Sequence, residues 1–309
     1  MNLYNVFQSI LTLFIIGIVG YFARKKEILT ESTINNLPKF LLEITLPCMI
    51  ISSMQLPFSQ EKLKDIKTIL FISLGVYLAS YLLSILVIRG LKVTDRGEEG
   101  VYQFMTIFSN VAFIGYPVLI SIYSKEAIFY AAIYNLPFNF LVFTLGVFIL
   151  QSDRKKLGLS SFINPGLISV IIGLILYFFS LKIPPIILDP VIMVGDLTTP
   201  LSMIFIGASI SHVDFKKILL DWRLYFISVI RLLVIPILLF FILKGFIDDP
   251  LLIGIPVVIS GMPVAANCAV MAKQYGEHAD LASEGIFMTT TLSMVTIPFL
   301  VYILANFIS

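Results

Sequence analysis

Asn110-Val111-Ala112-Phe113-Ile114-Gly115-Tyr116-Pro117 sets an amide, a glycine and a proline in the middle of an apolar run of membrane-spanning length. Proline removes a backbone donor and glycine adds backbone freedom, so together they interrupt a helix. Late in the chain Gly261-Met262-Pro263, followed by Asn267, repeats the device. Interrupted backbone in lipid must be buried in protein or line a watery cavity. A helix N-terminus at such a break carries unpaired N–H groups and about half a positive charge, which suits a carboxylate. The spacing predicts half-helices beginning near Pro117 and Pro263, because proline fits the first helical position. Asn110 and Asn267 would offer amide donors and acceptors beside them. The plain alternative is a pair of kinked, continuous helices with no ligand, since Pro and Gly are common in membrane helices.

Glu43, Asp196 and Arg231 are the ionisable residues deepest in apolar segments. Each costs about 2.5–3.5 kcal/mol at a helix centre, so each should face protein or water. Glu43 and Asp196 then have two readings. They are proton carriers or cation ligands for coupling, or they hydrogen-bond backbone N–H groups freed by the breaks. Arg231 either binds substrate carboxylate or pairs with an acid or with carbonyls left over at a break. Thr45 beside Pro47, and Thr198 and Thr199 beside Pro200, are expected to satisfy local backbone. Asn135, before Pro137, is a lesser candidate for a cavity wall. Thr289, Thr290, Thr291, Ser293 and Thr296 read mainly as interhelical packing.

Enzyme chemistry finds no support. Ser260-Gly261 lacks the preceding glycine of a membrane serine protease, Glu98-Glu99 lacks downstream metal ligands, and Asp248-Asp249 stands alone. There is no phosphate-binding loop. Cys48 and Cys268 lie in apolar segments and read as packing residues. His212 and His278 lie at segment edges among charges. No cofactor, metal or nucleic-acid partner is expected.

The elements that must carry these residues follow from composition. Of 309 residues, 58% are hydrophobic and only 13% charged, and mean hydropathy is +0.99. About a quarter charged is ordinary for a soluble domain, so the chain reads as membrane-embedded throughout. A span needs roughly 20 apolar residues. Ten are legible, at about 3–23, 35–55, 66–88, 101–122, 127–150, 164–181, 187–210, 222–243, 251–272 and 282–307. The first lacks a cleavage site and is expected to be retained. Of the 21 Lys and Arg, thirteen follow odd-numbered spans, six follow even-numbered ones, and Lys39 and Arg231 lie inside spans. The positive-inside rule then places the basic loops in the cytoplasm and both termini outside.

The halves echo each other. Glu43-Ile44-Thr45-Leu46-Pro47 and Asp196-Leu197-Thr198-Thr199-Pro200 share acid, aliphatic, Thr, any, Pro at an offset of 153, and the Gly-x-Pro pair recurs at an offset of 146. Five spans per half is odd, so the second copy must insert inverted, as in many secondary transporters. The expected organisation is 1–150 as the first five-helix repeat, 151–163 as a cytoplasmic linker and 164–309 as the inverted second repeat. The expected fold is thus all-α, ten transmembrane helices in an inverted five-plus-five repeat with broken crossover helices.

These residues resemble the auxin efflux carrier family, including its bacterial malate-permease-like members. The family's Asn-x-Gly-Phe-x-Gly-x-Pro is matched by Asn110, Phe113, Gly115 and Pro117, with Ala112 replacing the first glycine. Pro263, Asn267, Ala272, Tyr275-Gly276, Ser283, Thr291, Ser293, Thr296 and Pro298 extend the match, as do Pro200, Gly207-Ala208-Ser209 and Arg231-Leu232. The resemblance covers essentially the whole chain. It implies helices crossing at their breaks, as in sodium/proton antiporter folds. It implies a scaffold and homodimer surface around the second and seventh spans, and elevator-type alternating access with the paired asparagines contacting substrate. The long cytoplasmic loop of plant members is absent. The expected function is secondary transport of a small organic anion, malate- or auxin-like, across a prokaryotic plasma membrane. Asn110, Gly115, Pro117, Gly261, Pro263 and Asn267 would form the site. Alternatives are a sodium-coupled symporter with Glu43 and Asp196 as cation ligands, and a non-transporting scaffold or sensor.

Overall fold

The computed structural model describes residues 3–123, 125–151, 165–211 and 221–307. Regular structure among them is helical, apart from one extended bridge between Ser109 and Val264. The helices are α1 (Leu3–Lys25), α2 (Glu31–Ser53), α3 (Gln60–Leu91), α4 (Arg96–Ile107), α5 (Val111–Tyr123) and α6 (Glu126–Leu150). They continue as α7 (Pro165–Phe178), α8 (Pro185–Asp196 and Thr198–Ile210), α9 (Trp222–Lys244), α10 (Pro250–Ser260), α11 (Cys268–Tyr275) and α12 (Ala279–Phe307). Taken in order they fall on the ten apolar segments, with α4 and α5 sharing the fourth and α10 and α11 the ninth. Segments within α2, α3, α6, α8, α9 and α12 are long and apolar enough to cross a bilayer. The expected linker, and with it Arg154, Lys155, Lys156, His212, Lys216 and Lys217, lies outside the described residues but for Gln151.

The outward surface is what lipid requires. Phe71, Leu74, Leu78, Leu82 and Leu86 form an exposed apolar stripe down α3 at helical spacing, which water would not tolerate on this scale. Polar caps start the helices: Thr30, Ser59, Asp95 and Asp249 each accept a backbone N–H two or three residues on, as the orphan donors of a first turn demand.

Two packing groups result. In the first, a panel, α8 packs on α1 and α2, and α7 packs on α2. Gly20 of α1 meets the Ile204 backbone of α8, and Gly207 of α8 meets the Gly17 backbone of α1, with no room for a Cβ at Gly20 or Gly207. Such close approach of small residues is how membrane helices gain van der Waals contact without a hydrophobic driving force. In the second, a bundle, α3–α6 and α9–α12 pack on one another.

Polar side-chain pairs show which helix ends lie together. Asp95, just beyond the C-terminus of α3, pairs with His278 at 2.9 Å, and Glu98 pairs with Arg223 at 3.4 Å. Lys62, at the start of α3, pairs with Glu126 at 2.7 Å. These sets mark opposite ends of the molecule, because the 32 residues of α3 separate them by about 48 Å.

The prolines correct one expectation. Pro117 does not begin a half-helix. It lies inside α5, two residues after a π-turn at Val111–Gly115 in which Gly115 N–H donates to Asn110 C=O and Tyr116 N–H to Val111 C=O. Pro47 follows the π-turn Leu41–Thr45, and Pro236 follows Ile230–Val234, in the same way. The widened turn moves carbonyls away from the proline ring, so the helix continues past a residue that would otherwise clash. The interruption in this segment is at Phe108–Asn110, upstream of Gly115. In the ninth segment it spans Gly261–Asn267, and Pro263 lies in extended chain rather than at a helix start. The half-helices therefore begin after Asn110 and Asn267, an offset of 157. The Gly-x-Pro offset of 146 does not join equivalent positions.

Candidate functional site

The two interruptions cross and bind each other. Beyond Ile107 the chain becomes extended at Phe108. Asn110 N–H donates to Pro263 C=O at 2.8 Å, and Ala265 N–H donates to Phe108 C=O at 3.0 Å. Phe108, Ser109 and Val264 are buried. Backbone freed from helices is thus paired by a two-bond antiparallel clip, the accounting that a lipid interior enforces.

Two side chains complete the clip. Arg231 on α9 is fully buried. Its Nη1 donates to Thr106 C=O at 3.0 Å and to Ile107 C=O at 3.5 Å, while Nε donates to Met262 C=O at 3.3 Å. One guanidinium therefore ends α4 and holds the second break, and it places a cation where a helix dipole is negative. Of the readings open for Arg231, pairing with break carbonyls is the one the geometry shows. Thr289 on α12 accepts Val264 N–H at 3.1 Å and donates to Gly285 C=O at 2.7 Å. Sequence reasoning placed Thr289 among packing residues; only the fold brings it to the break.

The electropositive ends face the other way. Asn110 is the N-cap of α5, its Oδ1 accepting Phe113 N–H at 3.1 Å. Asn267 sits at the corresponding position of α11 but makes no capping bond, and its Oδ1 is buried without a partner among the described residues. Both line a cavity of about 380 Å³. Its walls come from α2 and α7 of the panel and from α5, α6 and the crossover of the bundle. Asn135, only 8% exposed, lines it with an unpartnered Oδ1, as does the buried Tyr116 hydroxyl. Lys39 and Glu43 are the charged residues on its wall. A second cavity of about 250 Å³ lies across the crossover, between α8 and α12; Asn110 and Ala266 belong to both, and Thr290 and Ser283 line it. Each cavity is built from the helix halves nearer the Asp95–His278 end.

The acids part company. Glu43 lines the first cavity and has no hydrogen-bonding partner among the described residues. Asp196 lines a different cavity of about 440 Å³, toward the Lys62–Glu126 end, and its Oδ1 accepts from Lys125 Nζ at 2.6 Å. Neither hydrogen-bonds the freed backbone of the crossover, so the backbone-support reading of these acids is corrected. Each lies on the panel, while the unpaired groups at the crossing are met by Arg231 and Thr289 from the bundle. Thr45 does bond the Leu41 carbonyl, at 3.3 Å. The Thr198 hydroxyl, by contrast, is buried without a partner among the described residues, and Ser202 satisfies the Thr198 and Thr199 carbonyls instead. Gly115 packs against the Asn110 carbonyl and the Met262 side chain. Gly261 and Pro263 form the other strand of the crossing, and Pro200 lines the Asp196 cavity.

Comparison with known proteins agrees in kind. A family model described as membrane transport protein matches residues 5–160 and 154–301. The chain is 28% identical over 313 residues to an uncharacterized transporter of Methanocaldococcus jannaschii, covering 96% of this chain and 98% of that one. It is 23% identical over 300 residues to an uncharacterized transporter of Methanothermobacter thermautotrophicus, covering 94% and 96%. It is 27% identical over 145 residues, covering 46% and 44%, to a Rhizobium meliloti protein provisionally named a malonate transporter. The membership read from the Asn110–Pro117 motif holds. With matches spanning nearly all of its length, an interrupted pair of crossing helices and an amide-lined cavity beside them, the chain belongs to the membrane transport protein family, and it is a multi-pass membrane transporter, not an enzyme.

Proposed function

We propose that the protein is a secondary transporter of small organic anions, binding a carboxylate where α5 and α11 begin. The observation that carries this reading is the pair of asparagines at those N-termini, both on one cavity wall. Asn110 already spends its oxygen on Phe113 N–H, which leaves its amide donors for an anion. The two dipoles add positive potential in a medium of low dielectric. The name of the Rhizobium relative makes malonate the first anion to try.

The rest of the reading follows from arrangement. The ten segments form an inverted five-plus-five repeat, residues 1–150 and 164–309, in a plasma membrane. Both termini lie outside, and the cavities at the Asp95–His278 end face the cytoplasm. The bundle slides against the panel in an elevator-type exchange, and the panel supplies the homodimer surface. Lys125 of the bundle and Asp196 of the panel must separate in that movement. Glu43, in the substrate cavity, is the better placed of the two acids for coupling to a proton or sodium.

Uptake of labelled malonate into proteoliposomes tests the site. Asn110→Ala and Asn267→Ala should each abolish uptake while the protein still inserts. Normal uptake by both would remove the site. Sodium-independent flux that loses its pH dependence in Glu43→Gln would assign coupling to a proton; a sodium requirement would assign it to the cation.

A further inference from the structure

Lys39 has no role in the account so far, yet it lies inside the second apolar segment, where a charge is kept at a cost. It lies on α2, exposed, one helical turn before Glu43, so the two share a face. Together they are the charged residues lining the cavity that Asn110 and Asn267 also line. Neither has an ion-pair partner among the described residues. The remaining polar wall is neutral: Asn135, Asn139, Tyr116 and Ser109. The cavity is thus two-sided, with amide dipoles of the crossover on the bundle side and the Lys39 ammonium beside the Glu43 carboxylate on the panel side. A monocarboxylate satisfies only the first.

We propose that Lys39 is the specificity residue for a second carboxylate, which makes the cavity a dicarboxylate site. One carboxylate lies against Asn110, Asn267 and the first N–H groups of α5 and α11. The other meets the Lys39 ammonium on the panel wall of the same cavity of about 380 Å³. Glu43 balances Lys39 in the empty site and competes with the ligand for it. Because Lys39 belongs to the panel and the asparagines to the bundle, the Lys39 contact selects the ligand as it binds and must break when the bundle carries it past the panel. This inference rests on the anion reading above and narrows it.

The test compares malonate and succinate with propionate and butyrate, by uptake into proteoliposomes and by ligand-induced thermal stabilisation of the purified protein. Wild type should favour the dicarboxylates. Lys39→Gln should raise KM for malonate about five-fold, the upper size of an ion pair made by an exposed side chain, with propionate unchanged. Lys39→Arg should restore most of the preference, and Glu43→Gln should lower KM for malonate. Lys39 is exposed, so the unliganded melting temperature of Lys39→Gln should match wild type. Equal effects on both classes of anion, or none on either, overturn Lys39 as a second-carboxylate residue and leave the crossover site standing. Failure of the wild type to bind or carry any of the four overturns the anion reading and this inference with it.

Discussion

The two breaks do the same topological job with different chemistry. At the first, α4 ends, three residues separate it from α5, and Asn110 caps α5 with its own side chain. At the second, seven residues separate α10 from α11, Thr289 supplies the bond that the extended chain lacks, and Asn267 is left uncapped with a buried, unpartnered oxygen. One is finished locally. The other is finished by a neighbouring helix and keeps its amide unspent. The lesson is that an asparagine at a helix start is not evidence of one role. Asn110 is both structure and site, whereas Asn267 contributes little to the fold and, on the proposal, much to the ligand.

The comparison can be broken hardest at Arg231, the residue both breaks share. Arg231→Met keeps volume but strands three buried carbonyls, and should destabilise the protein by about 3 kcal/mol or more, seen as a large fall in melting temperature in detergent. A loss below about 1 kcal/mol would mean that the breaks are held by the backbone clip alone. A smaller effect sharpens the contrast between the asparagines. Asn110→Ala should cost about 1 kcal/mol through its lost cap. Asn267→Ala should leave stability unchanged or raise it slightly, although both abolish transport. Equal stability losses would erase the distinction. The smallest effect is at Asp196. Its partner Lys125 is 61% exposed and Asp196 itself 52%, so Asp196→Asn should move stability by well under 1 kcal/mol. Its consequence should appear in transport rate, because the pair joins panel to bundle.

Much of this was legible in the chain. Ten apolar segments, interruptions in the fourth and ninth, and an asparagine beside each all follow from residue type and lipid physics, and break carbonyls were one of the partners open to Arg231. The positions of the breaks did not. Gly115 and Pro117 look like a helix start, yet Val111–Gly115 widens into a π-turn and absorbs the proline, a backbone adjustment with no side-chain signature. Glu43 and Asp196 look equivalent, but tertiary contacts alone decide that one faces the amides and the other Lys125. Thr289 was lost among five hydroxyls on one helix, since which of them meets a break depends on how α12 is rotated. Lys39 was visible as a charge inside a span; its meaning needed the cavity.

The central claim is that the crossover attracts negative charge, and Asn110→Asp tests it most directly. The substituted carboxylate can still accept Phe113 N–H, so α5 keeps its cap, and the helix dipole offsets part of the cost of burying the new charge. It also sets a fixed negative charge where the anion should sit. The account predicts that the variant inserts and folds but loses malonate binding, measured by isothermal titration on the purified protein. Wild-type affinity in Asn110→Asp would contradict it.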